Sequence, residues 1–457
     1  MGGVKMYDVV VKGGQIVSGS YGSFRADLAI KGEKIAAIGD GLDGKYVINA
    51  SGKLVMPGVI DAHVHMELPV SGTRSSDDFS SGTKAAACGG VTTIIDFTVG
   101  SSESTIPEDI EKRLKEAEKS HIDYALHAEV IGWHRSRSQE ILKAVQMGVT
   151  SFKFFTAYGS SGRRTDRGAL FEVFQIIGDL GALAVVHAED EEVINYLMNE
   201  LEEEELKNMV SLAKVRPSLC EAVAVSDVIY LAERANTRLH IVHLSSALGL
   251  EALKRGKGFY KNVTAETCPQ YLLLTQDVYE SVDGHLYSAS PALRSSYDLE
   301  ALWDALYNEE LSMIATDHCP FTREQKTWKG NFLDLPYGLP GVETALPLMF
   351  SEGVIKRHLP VSSLVRLLSE NPAKIYGLFP QKGTLQIGSD ADIVVLEPNE
   401  EWTISASNLH MNTDFSPFEG LKVHGQIYTT LSRGEVVFEK GSFKGREGRG
   451  KFLRRSC

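Results

Sequence analysis

Val55-Met56-Pro57-Gly58-Val59-Ile60-Asp61-Ala62-His63-Val64-His65 is an apolar run that ends in two histidines spaced two apart. In an extended chain, residues two apart project to the same side, so both imidazoles leave one face together. A pair of polar core histidines would need two buried hydrogen-bond partners. At the end of a strand, two nitrogen donors side by side suit a metal ion instead.

Other apolar runs finish in the same way: Val185-Val186-His187, Ile241-Val242-His243 and Ala315-Thr316-Asp317-His318 each end on a metal-competent residue. Between residues 56 and 382, short apolar runs alternate with helical stretches, the texture of repeated βα units around a parallel sheet. Candidate strands begin near Val55, Thr92, Asp123, Thr150, Ala182, Leu239, Asn262 and Ser312. Most are nearly continuous in apolar residues, as strands buried on both faces should be. A doubly wound open sheet would carry a Gly-rich phosphate loop after its first strand, and this sequence has none. The expected fold is therefore α/β, a (β/α)8 TIM-like barrel. In such a barrel, residues distant in sequence converge on the mouth formed by the strands' C-terminal ends.

The fourth run, Ser151-Phe152-Lys153-Phe154-Phe155-Thr156-Ala157-Tyr158, holds a lysine among aromatic rings. A bare ammonium is costly there, and it would repel cations bound by the histidines. Reaction with carbon dioxide resolves both problems. A lysine carbamate on Lys153 is anionic and offers two oxygens that could bridge two metals.

Both chain ends have a different texture. Residues 1–55 alternate apolar and polar positions between glycine turns, and the pattern returns in Ala391-Asp392-Ile393-Val394-Val395-Leu396 and on either side of Arg433-Gly434. A small β-sandwich domain built from residues 1–55 and 383–457 is expected beside the barrel of residues 56–382. The basic tail from Lys444 to Arg455 is open to two readings: disorder, or a place on a neighbouring subunit.

Composition bounds the function. The chain has 457 residues, 43% hydrophobic and 23% charged, with a net charge of -13. Its pI is about 5.5, so nucleic acid, which calls for a concentrated basic surface, is excluded as the expected partner. No apolar run is long enough to span a membrane. Cys88, Cys220, Cys268, Cys319 and Cys457 stand singly, without Cys-X-X-Cys spacing, and the N-terminus lacks the pattern of a secretory segment. A cytoplasmic location is the default expectation.

Further motifs carry a resemblance. These are Glu266-Thr267-Cys268-Pro269-Gln270-Tyr271, Ser290-Pro291-Ala292-Leu293-Arg294, Thr316-Asp317-His318-Cys319, Gly338-Leu339-Pro340-Gly341-Val342-Glu343 and Gly388-Ser389-Asp390-Ala391-Asp392. With the His-X-His and the lysine stretch, they make the chain resemble the cyclic amidohydrolases over nearly its whole length, and most closely the dihydropyrimidinase and hydantoinase branch. The resemblance implies two divalent metal ions, zinc by preference. His63 and His65 would bind the more buried ion and His187 and His243 the more exposed one, with carbamylated Lys153 bridging and Asp317 on the buried ion. It further implies a bridging hydroxide as nucleophile, Asp317 as acid and base, and Tyr158 steadying the oxyanion. Ser290 and the backbone around Tyr337 would read the imide of a small cyclic ureide, opened to an N-carbamoyl amino acid. A homotetramer is implied, with a dimer as the alternative.

Two departures bear on substrate range. Tyr337 stands where many relatives have asparagine, and the stretch from Leu212 to Pro217 lacks the His and Ser that often precede Arg-Pro. Dihydroorotases usually place arginine two residues after the second histidine to hold a ring carboxylate; Glu67 here argues against such a substrate. Allantoinase remains the nearest alternative, and a non-catalytic dihydropyrimidinase-like assembly protein ranks last because all six ligand positions are filled.

Overall fold

In the computed structural model, which describes residues 6–457, eight parallel strands follow one another in sequence order around a barrel. They are Val59–Val64, Val91–Phe97, Asp123–Glu129, Ser151–Phe155, Leu183–His187, Arg238–Ile241, Val263–Thr267 and Met313–Ile314. The first five are buried at every position, which matches their continuous apolar composition.

The last seven begin within a residue of the expected positions, but the first does not begin near Val55. Leu54–Pro57 is a separate strand of the other sheet, parallel to Gln15 and Ile16 and antiparallel to Ile393–Leu396. Gly58 turns the chain into the barrel, and a Cβ there would collide with the Thr92 side chain. Two short strands of different sheets thus read as one apolar run.

First and last barrel strands share no ladder. They are joined by a single bridge between Val64 and His318, with the His65 amide donating to the His318 carbonyl at 2.8 Å. Asp61 completes the closure by accepting from the Thr316 amide at 3.1 Å and hydroxyl at 2.6 Å.

Both chain ends build a second, mostly antiparallel sheet of nine strands among the described residues. It encloses its own core, including Ile16, Leu28, Ile30, Val55, Ile393 and Leu431. Buried ions couple it to the barrel: Lys382 Nζ lies 2.6 Å from Asp123, 3.0 Å from Asp390 and 2.6 Å from Asp392. Burial opposes the lysine's charge, but these carboxylates prevail and hold its pKa above the ordinary value. Arg433 Nε reaches Asp123 at 2.9 Å.

The basic tail is ordered rather than disordered. It runs along the floor of its own barrel, with Leu453 donating to the Tyr124 carbonyl at 2.7 Å and Arg455 to Gly148 at 3.0 Å. No helix among the described residues is long and apolar enough to cross a membrane.

Removing one member of a buried ion network weakens the compensation of the rest. Asp123→Ala, which removes the carboxylate shared by Lys382 and Arg433 and leaves Asp390 and Asp392 on the lysine and Glu33 on the arginine, should destabilise the protein by about 3 kcal/mol, the lower end of the cost of breaking a buried pair, read as a lowered midpoint of urea unfolding. An unchanged midpoint would show that the network does not couple sheet to barrel.

Candidate active site

Because alternate residues of a strand share a face, Val64 is buried outside the barrel while His63 and His65 turn to its mouth. Phe97, ending the next strand, supports both rings, at 4.7 Å from His63 and 4.8 Å from His65. Asp317 Oδ1 lies 3.2 Å from His63 Nε2 and 3.1 Å from His65 Nε2. Across the mouth, His187 Nδ1 lies 3.0 Å from His243 Nε2. Lys153 Nζ stands over the rings of Phe97 at 4.9 Å and Phe155 at 5.1 Å. These six side chains line one cleft of about 740 Å³, together with Tyr158, Ser290 and Tyr337.

The donors fit divalent cations. One ligand atom each from His63, His243 and Asp317 all lie within 4.8 Å of one another. His63 Nε2, His65 Nδ1 and His243 Nδ1 are buried without a hydrogen-bond partner; the Asp317 oxygen near His63 is close but not aligned as an acceptor. Burial, reinforced by Lys153 at His63 and by His187 and then Lys153 at His243, holds both imidazoles well below the ordinary histidine pKa. Neutral imidazoles are the form a metal requires. Burial also lowers Lys153 to about 8, against the pull of Asp317, Glu266 and Glu129.

The strand ends are held under backbone strain. His243 and Asp317 adopt φ of 39° and 53°, uncommon for residues with a Cβ. His318, left without a role by the sequence, is fully buried and anchors this turn. Its Nε2 lies 3.0 Å from Asp77 and its Nδ1 accepts from the Gly341 amide at 3.1 Å, which fixes the proton on Nε2.

Sequence reading gave no role to three charged residues of the site. Glu266 takes His63 Nδ1 at 2.5 Å on one oxygen and His240 Nε2 at 3.0 Å on the other. It ends an apolar strand as the histidines do, so the same rule could have found it. Glu189, two residues after His187, lies 2.9 Å from His187 Nε2 and accepts from Ser290 at 3.2 Å. Arg216 donates to Glu189 and to Ser290, and its guanidinium lies 5.1 Å from the Tyr158 ring centre. Burial alone would raise Glu189, yet Arg216 and His187 hold it down at about 2. Tyr158, at φ 72°, hydrogen-bonds Ser290 Oγ, and burial raises its phenol, which stays protonated.

The amidohydrolase family model matches residues 54–437, most of the chain. The chain belongs to the amidohydrolase family. This amidohydrolase is 39% identical to the D-hydantoinase of Geobacillus stearothermophilus, over 98% of its own length and 96% of the relative's. It is 38% identical to a D-phenylhydantoinase of Escherichia coli K12, covering 98% of each chain. Its fold superposes on the crystal structure of dihydropyrimidinase from Brevibacillus agri NCHU1002 with a TM-score of 0.94, at 38% identity and 98% coverage of both chains. Within the amidohydrolases it falls in the hydantoinase and dihydropyrimidinase branch.

A carboxylate accepts on both oxygens, whereas an amide accepts on one and donates from the other. Glu266→Gln should therefore loosen either His63 or His240. Metal affinity should fall by about 10–100-fold, measured by chelator competition; unchanged affinity would show that Glu266 does not orient the site.

Proposed function

We propose that this amidohydrolase opens the ring of cyclic ureides, 5,6-dihydropyrimidines and 5-substituted hydantoins, to N-carbamoyl amino acids. One observation carries the reading: donors from five strand ends share a cleft with Tyr158 and Ser290, where a small ring can lie between them. In this reading His63, His65 and Asp317 would hold one divalent ion and His187 and His243 another, and Lys153 as its carbamate would supply a further anionic ligand. Two such ions, zinc by preference, would acidify a water and polarise the ring carbonyl.

The chain's own groups handle the protons. Asp317 lies at the cleft, within reach of a water attacking the carbonyl carbon. It takes the proton as the carbon–oxygen bond forms and returns it to the ring nitrogen as the carbon–nitrogen bond breaks. Tyr158, kept protonated, donates to the oxygen that gains negative charge. Ser290 and the main chain near Tyr337 orient the imide, since the Tyr337 hydroxyl is already directed to the Phe332 carbonyl at 3.3 Å. A homotetramer, or a dimer, in the cytoplasm completes the proposal; light scattering on the purified protein tests the assembly.

The deciding experiment is turnover of dihydrouracil, 5-phenylhydantoin and allantoin alongside metal content per chain. The expected outcome is about two metals per chain with turnover of the first two rings. Turnover of allantoin alone would make the protein an allantoinase, and no metal uptake would remove the hydrolase reading.

Carbamate forms from the neutral amine. With Lys153 at about 8, the neutral fraction rises from about 1% at pH 6 to about half at pH 8. Recovery of metal-stripped protein in bicarbonate and zinc should accordingly be faster at pH 8 than at pH 6, at equal dissolved carbon dioxide. A recovery rate that does not rise with pH would argue against carbamylation from this amine.

A further inference from the structure

Arg163 and Arg164 are adjacent in the loop after the fourth barrel strand, yet the fold gives them opposite surroundings. The loop is pinned: Tyr158 and Gly162 have φ of 72° and 74°, and the Arg163 amide donates to the Tyr158 carbonyl at 3.1 Å. Arg164 is consumed by carboxylates, with Glu191 at 2.9 Å, Glu192 at 3.3 Å and Asp166 at 3.5 Å. Arg163 turns into the cleft instead.

Its guanidinium lies 5.6 Å from the Phe155 ring centre, and Nη1 reaches Glu129 Oε1 at 3.3 Å. Among the described residues, that carboxylate is its only side-chain hydrogen-bond partner. Glu129 is fully buried, and its other oxygen accepts from the Gly100 amide at 3.0 Å. One side of the guanidinium is thus braced, the side chain is 23% exposed, and the remaining donors are available to the cleft. Arg216, the other arginine lining it, is already taken up by Glu189 and Ser290.

The Phe155 ring meets both cations, its centre lying 5.6 Å from the Arg163 guanidinium and 5.1 Å from Lys153 Nζ. Arg163 therefore stands one aromatic ring away from the reacting groups, where a substituent arm would lie and the scissile bond would not. A planar fork with unused donors in a partly desolvated site is suited to a carboxylate. Resting on the ring-opening activity proposed above, we infer that Arg163 selects cyclic ureides that carry a carboxylate at the end of their exocyclic arm.

The test compares 5-(2-carboxyethyl)hydantoin with its neutral isostere, 5-(2-carbamoylethyl)hydantoin, at constant ionic strength. The wild type should favour the acid by about tenfold or more in kcat/KM, the ratio that about 1.4 kcal/mol produces. Arg163→Gln should bring the ratio near unity, and Arg163→Lys should keep part of it because charge remains while the fork is lost. The same compounds are titrated calorimetrically, so selectivity is read even where no ring opens. Acid-selective binding that Arg163→Gln abolishes, without turnover of any ring, removes the ring-opening reading and supports the arginine's selectivity. A wild type indifferent to the charge in both readouts, or a preference that survives in Arg163→Gln, overturns the inference.

Discussion

Barrel closure by Asp61 is the contact on which the site depends. No ladder joins the first and last strands, so their registration falls to this carboxylate, bonded to the amide and hydroxyl of Thr316, and to the amide of His65. The next residue after Thr316 is Asp317, and the two histidines lie two and four residues beyond Asp61. Closing the barrel and bringing Asp317 within 3.2 Å of His63 and 3.1 Å of His65 are therefore one event. Little solvent reaches this seam: Asp61 is 2% exposed, and burial lifts its carboxyl to about 6 in spite of its hydrogen bonds.

The mouth is costly in the same sense. Three histidines held neutral by burial, a lysine depressed to about 8 and strained backbone at His243 and Asp317 would all be relieved by unfolding. The surrounding structure over-determines them. Glu266 and His318 each use both of their polar atoms on neighbouring elements, so neither can turn without breaking a second bond. This arrangement fixes His63 and the turn carrying Asp317 in place at the mouth of the cleft, a condition for binding cations without reorganisation.

Much of this was legible in the sequence, for a simple reason. Strands buried on both faces leave continuous apolar runs, and polar residues at the ends of such runs announce the barrel mouth. That is why His63, His65, His187, His243 and Asp317 could be named, and why seven strand starts fell within a residue. The first strand misled because Pro57-Gly58 breaks an apolar run whose halves serve different sheets, a matter settled by the approach of Thr92 and not by local pattern. Arg216 escaped notice because its partner Glu189 lies 27 residues away, and pairing at that range is set by tertiary packing. The tail's place on the floor is likewise made by backbone bonds to Tyr124 and Gly148, which composition does not encode.

The loop of Arg163 and Arg164 shows the limit most sharply. Its Gly and Ser residues predict a turn, and two successive arginines predict charge, but neither says which cation faces inward. The answer comes from Glu191, Glu192 and Asp166, which engage Arg164, and from the buried Glu129, which engages Arg163. Carboxylates supplied by the rest of the fold sort two identical side chains into an anchor and a reader. Metal ligands are constrained by the chemistry of the ion and recur at fixed strand ends. The residue that meets the substrate's arm is constrained only by its neighbours, so relatives that share the ligand set can differ in the rings they open without any change in the metal site.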